Sequence, residues 1–233
     1  MEKIEVKILE HNCDGMAKFL ARLTQRGHLI HSMRDVDALY ESSVHTAPSS
    51  ALLSLPQTTI IRMTYITVAI SGLSMKCVSQ LRTHAKRLTF VSTSTQYSSY
   101  EGKNDNYVIP QSLIGTPAEK KMRDAYEMIH GLYSELITEG YDKDAVGYLL
   151  PQGLRKTLVI SGPLDAWQYV MRTRLCHRNS EETRYVMRLI YNAIEKECGE
   201  VFTTHMLPNC VDGKCLEGKF CCGIKFDKRE LIE

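Results

Sequence analysis

Polar and apolar positions along the 233-residue chain fall into segments of two periods. Lys3–Leu9 (KIEVKIL) alternates, as a half-buried strand does. Between Asp14 and Arg26 the apolar residues Met16, Phe19, Leu20 and Leu23 recur at helical spacing. His28–Ser54 is polar and weakly periodic, and reads as helix plus loop. Thr58–Ser71 (TTIIRMTYITVAIS) is rich in β-branched residues and reads as a long strand, followed by a helix over Gly72–Arg87. Asn104–Ser112 reads as a loop. Thr116–Glu139 carries the clearest helix signal: Thr116 at the N-cap, Pro117 at the first helical position, Glu119 in the first turn and Gly140 as the stop. Lys156–Ser161 (KTLVIS) reads as another strand, and Leu164–Arg174 and Glu181–Cys198 as two helices. The pattern predicts an α/β protein, a single domain over 1–209 with a central mixed or antiparallel sheet flanked by helices. A Cys-rich, poorly packed tail over 210–233 is expected to follow.

Composition narrows the class. With 43% hydrophobic and 24% charged residues the chain is an ordinary globular protein. Its formal net charge of +2 argues against a general nucleic-acid binder. The start, MEKIEVKILEHNCDGMAKF, is charged and alternating, unlike a secretory signal, and no apolar run is long enough to span a bilayer. The expectation is a cytoplasmic protein with no membrane and no nucleic-acid partner. Cys13, Cys77, Cys176 and Cys198 are scattered, while Cys210, Cys215, Cys221 and Cys222 crowd the tail. Reduced thiols are expected in that compartment. The tail set, with His205 nearby, could also hold zinc, but its spacings are looser than the common finger pattern. No metal is expected.

The richest chemistry lies between Gln80 and Tyr97 (QLRTHAKRLTFVSTSTQY). Arg82, Lys86 and Arg87 are permanent cations and His84 a conditional one; Thr89, Ser92, Thr93, Ser94, Thr95 and Tyr97 add hydroxyls. Cations beside hydroxyl donors are what phosphate oxygens require. A solvated basic helix face is the plainer account of the same charges. The chain has no GxGxxG, P-loop or HExxH, and no Gly-x-Ser-x-Gly elbow.

The stretch ISGLSMKCVSQLRTHAKRLTFVSTSTQYS resembles the signature region of the flavin-dependent thymidylate synthases. There a strand leads into a helix carrying Gln, then an Arg-His-Arg triplet, then Ser followed shortly by Arg-Tyr. Gln80 and His84 align from the strand side, Ser94 and Tyr97 from the other, with one extra residue around Ala85–Arg87. YLLPQGLRKTLVISG resembles the family's Leu-Pro segment, RTRLCHRNSEETR its two arginines ten positions apart (Arg174 and Arg184), and NCVDGKCLEGKFCCG the Cys-Gly tail of some members. The resemblance covers most of the chain after about Thr58. It also has gaps. Thr83 and Ala85 stand where the triplet has arginines, Ser92 where the motif has an acid, and Gln96 and Gly147 where the family's arginines hold the nucleotide phosphate. Losing one charge-assisted contact costs about 1.5–3 kcal/mol. Either Arg82, Lys86 or Arg87 substitutes, or the substrate differs.

The resemblance implies transfer of a one-carbon unit from methylenetetrahydrofolate to the 5-position of a uracil nucleotide, dUMP first among them, with FAD as cofactor recharged by NADPH. It also implies a homotetramer with shared sites. It places Arg174 as the catalytic cation that polarises the pyrimidine carbonyls; its rival role is a surface ion pair with Glu181 or Glu182. Gln80, Arg82, Arg87, Ser92, Ser94 and Gln96 fall to the nucleotide, and His84, Lys86 and Arg178 to the flavin. His45, before Thr46-Ala47-Pro48, faintly resembles a flavin-binding histidine of the family. Three alternatives stand beside this: a nucleotide-binding relative without catalysis, a methylase of a different uracil nucleotide, and a zinc-stabilised interaction module built on the tail.

Overall fold

The computed structural model describes residues 4–44, 53, 59–101 and 106–232. Four strands, β1 (Glu5–His11), β2 (Tyr65–Ser74), β3 (Thr89–Ser92) and β4 (Arg155–Pro163), form one sheet in the order β1-β2-β4-β3. Every pairing is antiparallel, which decides between the two expected arrangements. Alternation sets the faces. Ile66, Val68 and Ile70 of β2 and Leu158 and Ile160 of β4 are buried, while Tyr65, Thr67 and Ala69 between them are half-buried.

The helices are α1 (Met16–Gln25), α2 (Met33–Glu41), α3 (Thr59–Met63), α4 (Met75–Arg82), α5 (Pro117–Thr138), α6 (Lys143–Val146), α7 (Leu164–Arg174), α8 (Glu181–Cys198) and α9 (Glu200–Thr203). α7 buries Leu164, Trp167, Val170 and Met171, and α8 buries Val186, Met187, Ile190 and Ile194, each set at helical spacing. Both sets join the buried strand residues in one core. The Trp167 indole N–H donates to the Ile66 carbonyl at 3.0 Å, so the largest core side chain also satisfies its polar atom. A smaller cluster of Tyr107, Tyr133, Val146, Leu150 and Leu154 packs around α5 and α6.

Three stretches differ from the sequence pattern. Residues 59–63 are helical, and the strand expected over Thr58–Ser71 begins at Tyr65 and runs on to Ser74. Distant partners hold this break. The Thr64 carbonyl accepts from the Leu164 amide at 2.7 Å, and the Tyr65 amide donates to Asn12 Oδ1 at 2.7 Å. The helix expected over Gly72–Arg87 spans only Met75–Arg82. Gly72, with φ of 84°, sits where β2 slips against β4 between Ile70 and Leu73, and Ser74 caps the helix by accepting from the Cys77 amide at 3.0 Å. After Arg82 the chain turns into β3, a strand the pattern did not predict. The tail, expected to be loose, packs: Phe226 is buried in the main core, and the Arg188 and Asn192 side chains donate to the carbonyls of Glu230 and Leu231.

Candidate active site

Two helix ends meet at the centre of the candidate site. α4 leaves β2 and ends at Arg82; α7 leaves β4 and ends at Arg174. The Arg174 guanidinium donates from Nε to His84 Nε2 at 2.8 Å, from Nη1 to Asn179 Oδ1 at 2.8 Å, and from Nη2 to the Gln80 carbonyl at 3.0 Å and Thr83 Oγ1 at 2.7 Å. Its remaining Nη1 hydrogen has no partner among the described residues. The expected rival, an ion pair with Glu181 or Glu182, is not formed. Glu182 accepts from the Ser74 amide at 2.6 Å and hydroxyl at 2.5 Å, and Glu181 from the Ser112 amide at 3.4 Å.

His84 is buried and accepts at Nε2, which assigns its proton to Nδ1. Burial pulls its pKa down to about 4, with repulsion from Arg174 and then Arg87 adding to the shift. It is therefore uncharged at neutral pH and is no cation for phosphate. Arg87 stacks over the Tyr169 ring at 3.9 Å, and Tyr169 meets the His84 ring edge-on at 6.0 Å. Gln80 turns its carboxamide oxygen inward, accepting from Ser180 Oγ at 2.8 Å and Thr183 Oγ1 at 2.5 Å, which leaves its amide nitrogen to offer. Gln80, His84 and Arg174 thus form one polar cluster, with Asn179, Ser180 and Thr183 as members that motif reading missed.

The expected phosphate side is built more openly. Ser92 ends β3, and Ser94 Oγ accepts from the amides of Gln96 and Tyr97 at 3.0 and 3.1 Å, a hydroxyl-centred turn. Gln96 is exposed. A Cβ on Gly147 would lie 3.4 Å from the Thr95 carbonyl, so the two positions where the resemblance implies arginines, Gln96 and Gly147, stand close together. Exposed Arg82 ends α4, and exposed Lys86 and Arg87 lie on the turn between α4 and β3.

A fourth cation was missed. Lys156 on β4 is buried; its ammonium donates to the Tyr100 hydroxyl at 2.8 Å, which in turn donates to the Ser94 carbonyl at 2.9 Å. Among the described residues it pairs with no carboxylate. Its signal was present in the sequence. Lys156 shares the strand face of Leu158 and Ile160, where a lysine is out of place.

Two clefts adjoin the polar cluster. One, of about 270 Å³, is lined by Arg172, Cys176, Arg178, Asn179, Cys210 and Glu217. The other, of about 450 Å³, is lined by Ser74, Lys76, Tyr126, Gln152, Ser180 and Glu182. Arg178 stands apart from His84 and Lys86: it reaches Glu217 at 3.4 Å and lies 5.5 Å from the Phe220 ring. Arg184, the second arginine of the spaced pair, contacts His177 Nδ1 at 2.8 Å, and His177 Nε2 meets Glu230 Oε1 at 3.0 Å. That arginine serves the tail. His45 lies outside the described residues. No helix among the described residues is long and apolar enough to cross a membrane.

Residues 7–199 match the family model described as Thymidylate synthase complementing protein. A flavin-dependent thymidylate synthase of Thermococcus onnurineus is 27% identical over 179 residues, covering 72% of this chain and 71% of that protein. One from Pyrococcus furiosus is 26% identical over 144 residues, covering 58% and 56%. Among solved structures, Thymidylate Synthase X from Helicobacter pylori with FAD and dUMP superposes with a TM-score of 0.65 at 14% identity, over 88% of this chain and 99% of that one. The UMP/dUMP methylase PolB from Streptomyces cacaoi, bound with 5-Br dUMP, gives 0.62 at 16% identity, over 87% and 96%. These structural likenesses concern the fold.

Proposed function

The chain belongs to the thymidylate synthase complementing protein family, and from that premise we propose that it is a flavin-dependent thymidylate synthase, transferring a one-carbon unit from methylenetetrahydrofolate to the 5-position of dUMP. One observation carries the reading. Arg174 and the Gln80–His84 segment are chosen independently by the resemblance, lie 90 or more residues apart, and meet within 3.0 Å. A guanidinium held by four hydrogen bonds keeps one orientation without reorganising, which is what stabilising charge on a pyrimidine ring in the transition state demands. Uncharged His84 serves as a positioning residue, accepting the Arg174 Nε–H without competing for the pyrimidine's negative charge. The Gln80 amide nitrogen is suited to a uracil carbonyl.

FAD supplies the redox chemistry when bound, with NADPH recharging it. Of the residues expected to hold it, Arg178 at a cleft rim and exposed Lys86 suit its pyrophosphate, whereas His84 suits at most a neutral contact. For the nucleotide phosphate, Lys156 is the strongest added candidate. A buried ammonium is costly without a counter-ion, and the Lys156–Tyr100–Ser94 chain leads from it to the turn beside Gln96 and Gly147. Arg82 and Arg87 remain candidates on the same side, with Ser92 and Ser94 as hydroxyl donors. Met128 and Leu132, exposed on α5, are suited to the subunit contacts of a homotetramer. A cytoplasmic location follows from the substrates proposed.

A second reading rests on Gln96 and Gly147. With both phosphate arginines absent, the chain acts on a different uracil nucleotide, such as UMP, or binds one without turnover. One experiment separates these. Protein reconstituted with FAD is yellow, bleaches with NADPH, and converts dUMP to dTMP in the presence of methylenetetrahydrofolate. Conversion of UMP but not dUMP selects the second reading; nucleotide binding without flavin selects the inactive relative.

A further inference from the structure

We propose that His11, Cys13 and Cys198 form a binding site for a thiophilic divalent metal ion, zinc by its chemistry, remote from the residues proposed for methyl transfer and independent of that function. The three residues come from three places. His11 ends β1, Cys13 lies in the turn before α1, and Cys198 is the last residue of α8. One imidazole nitrogen and the two sulfurs all lie within 4.8 Å of one another. Both thiols are buried.

Buried free cysteines often pack as small apolar groups, and two in contact need no further account. The imidazole makes the difference. One imidazole nitrogen of His11 stands with the two sulfurs, and the bond that Nδ1 accepts from the Cys13 amide is a long 3.3 Å. Two sulfurs and one imidazole nitrogen are the donor set of zinc; oxygen-seeking magnesium and calcium do not select it. Zn–S bonds of about 2.3 Å and Zn–N bonds of about 2.0 Å put tetrahedral donors roughly 3.5–4 Å apart, so the present separations need to close by about an ångström or less. His11 is half-buried, which leaves a side open to water as the fourth ligand. On binding, M²⁺ replaces the two thiol protons, forming two metal–sulfur bonds and one metal–nitrogen bond and releasing two protons to solvent.

The surrounding backbone is already constrained. Gly15, with φ of 79°, begins α1 where a Cβ would lie 2.0 Å from the Ser43 carbonyl oxygen, which holds the Cys13–Gly15 turn against the segment after α2. Asn12, between two of the ligands, donates to the Met63 carbonyl at 2.9 Å and accepts from the Tyr65 amide at 2.7 Å. The metal would then tie the end of an outer strand to the end of the helix that covers it.

The test uses the full chain, stripped with a chelator under reductant and titrated with Co²⁺. The expected result is one equivalent bound with a thiolate-to-metal charge-transfer band, displaced by Zn²⁺. The band persists in a Cys221→Ser, Cys222→Ser double variant and disappears in Cys198→Ser. His11→Asn, a milder change at a half-buried strand end, weakens Co²⁺ binding by roughly tenfold or more and abolishes the rise in melting temperature that Zn²⁺ gives the unaltered protein. A band that follows the tail thiols instead, or no band at all in the fully reduced protein, overturns the proposal.

Discussion

Around Arg174, four hydrogen bonds from three segments hold one guanidinium, whereas the turn from Ser94 to Tyr97 is closed by two amide bonds to a single serine hydroxyl. The first region is half-buried and its histidine is kept neutral; the second is partly exposed and carries Gln96 where the resemblance implies an arginine. The contrast fits the chemistry proposed for each. A group that meets developing charge gains from being fixed in advance, and any loosening costs rate. A group that only anchors a phosphate can be exchanged for another cation in reach, because the anchor depends on charge more than on direction.

The sharpest way to break the comparison is at Arg174. Arg174→Ala is expected to lower methyl-transfer turnover by about 10²–10³-fold, while flavin affinity changes far less. Arg174→Lys recovers only part, since a point charge cannot reproduce the planar fork that reaches His84, Asn179 and Gln80 together. Near-normal turnover in a folded Arg174→Ala protein would remove it from the site.

The next effect is on stability. Because the His84 pKa is lowered to about 4 in the folded chain from an ordinary value of 6.5, its contribution is complete above pH 6.5 and is lost as pH falls from there toward 4. The full loss is about 3 kcal/mol. Denaturant midpoints measured from pH 7.5 to 4 are expected to fall in the native protein and to flatten over this window in His84→Gln.

Lys156→Met sharpens the phosphate side. Affinity for the nucleoside monophosphate is expected to fall by about 1.5–3 kcal/mol, with nucleoside affinity little changed. Folding stability holds or rises, because an unpaired buried ammonium is removed. Reversing Arg82, Lys86 and Arg87 together is the companion measurement. If that set, and not Lys156, discriminates monophosphate from nucleoside, the phosphate lies on the exposed turn. Smallest of all is Arg178→Ala, whose exposed pair with Glu217 contributes at most about 0–1 kcal/mol to stability; a fall in FAD affinity measured by fluorescence titration would mark it as a flavin contact.

Much of this was legible in the chain. The alternation of Ile66, Val68 and Ile70, and the helical spacing in α7 and α8, follow from local period alone. The Gln80, His84 and Arg174 cluster was reached through motif order. What was hidden depends on distant partners. Thr59–Met63 looks like strand from its β-branched residues, and only bonds to Asn12 and Leu164 mark the break before Tyr65. β3 has four residues, too few for a period to stand out. Lys156 was readable, as a lysine in register with core residues, but the run of basic residues at 82–87 drew attention to charge that is exposed.

The central pair of strands has a bearing on how the molecule is assembled in time. Thr67 on β2 and Ser161 on β4 share a hydrogen bond across 94 residues, and β3 reaches the sheet only through β4. A nascent chain that has emerged through Tyr97 therefore carries most of the proposed nucleotide-contacting residues with no surface on which to arrange them. Closing so long a loop is entropically slow and must precede the docking of β3. Ligand binding is thus expected to report late in refolding, after the core has formed.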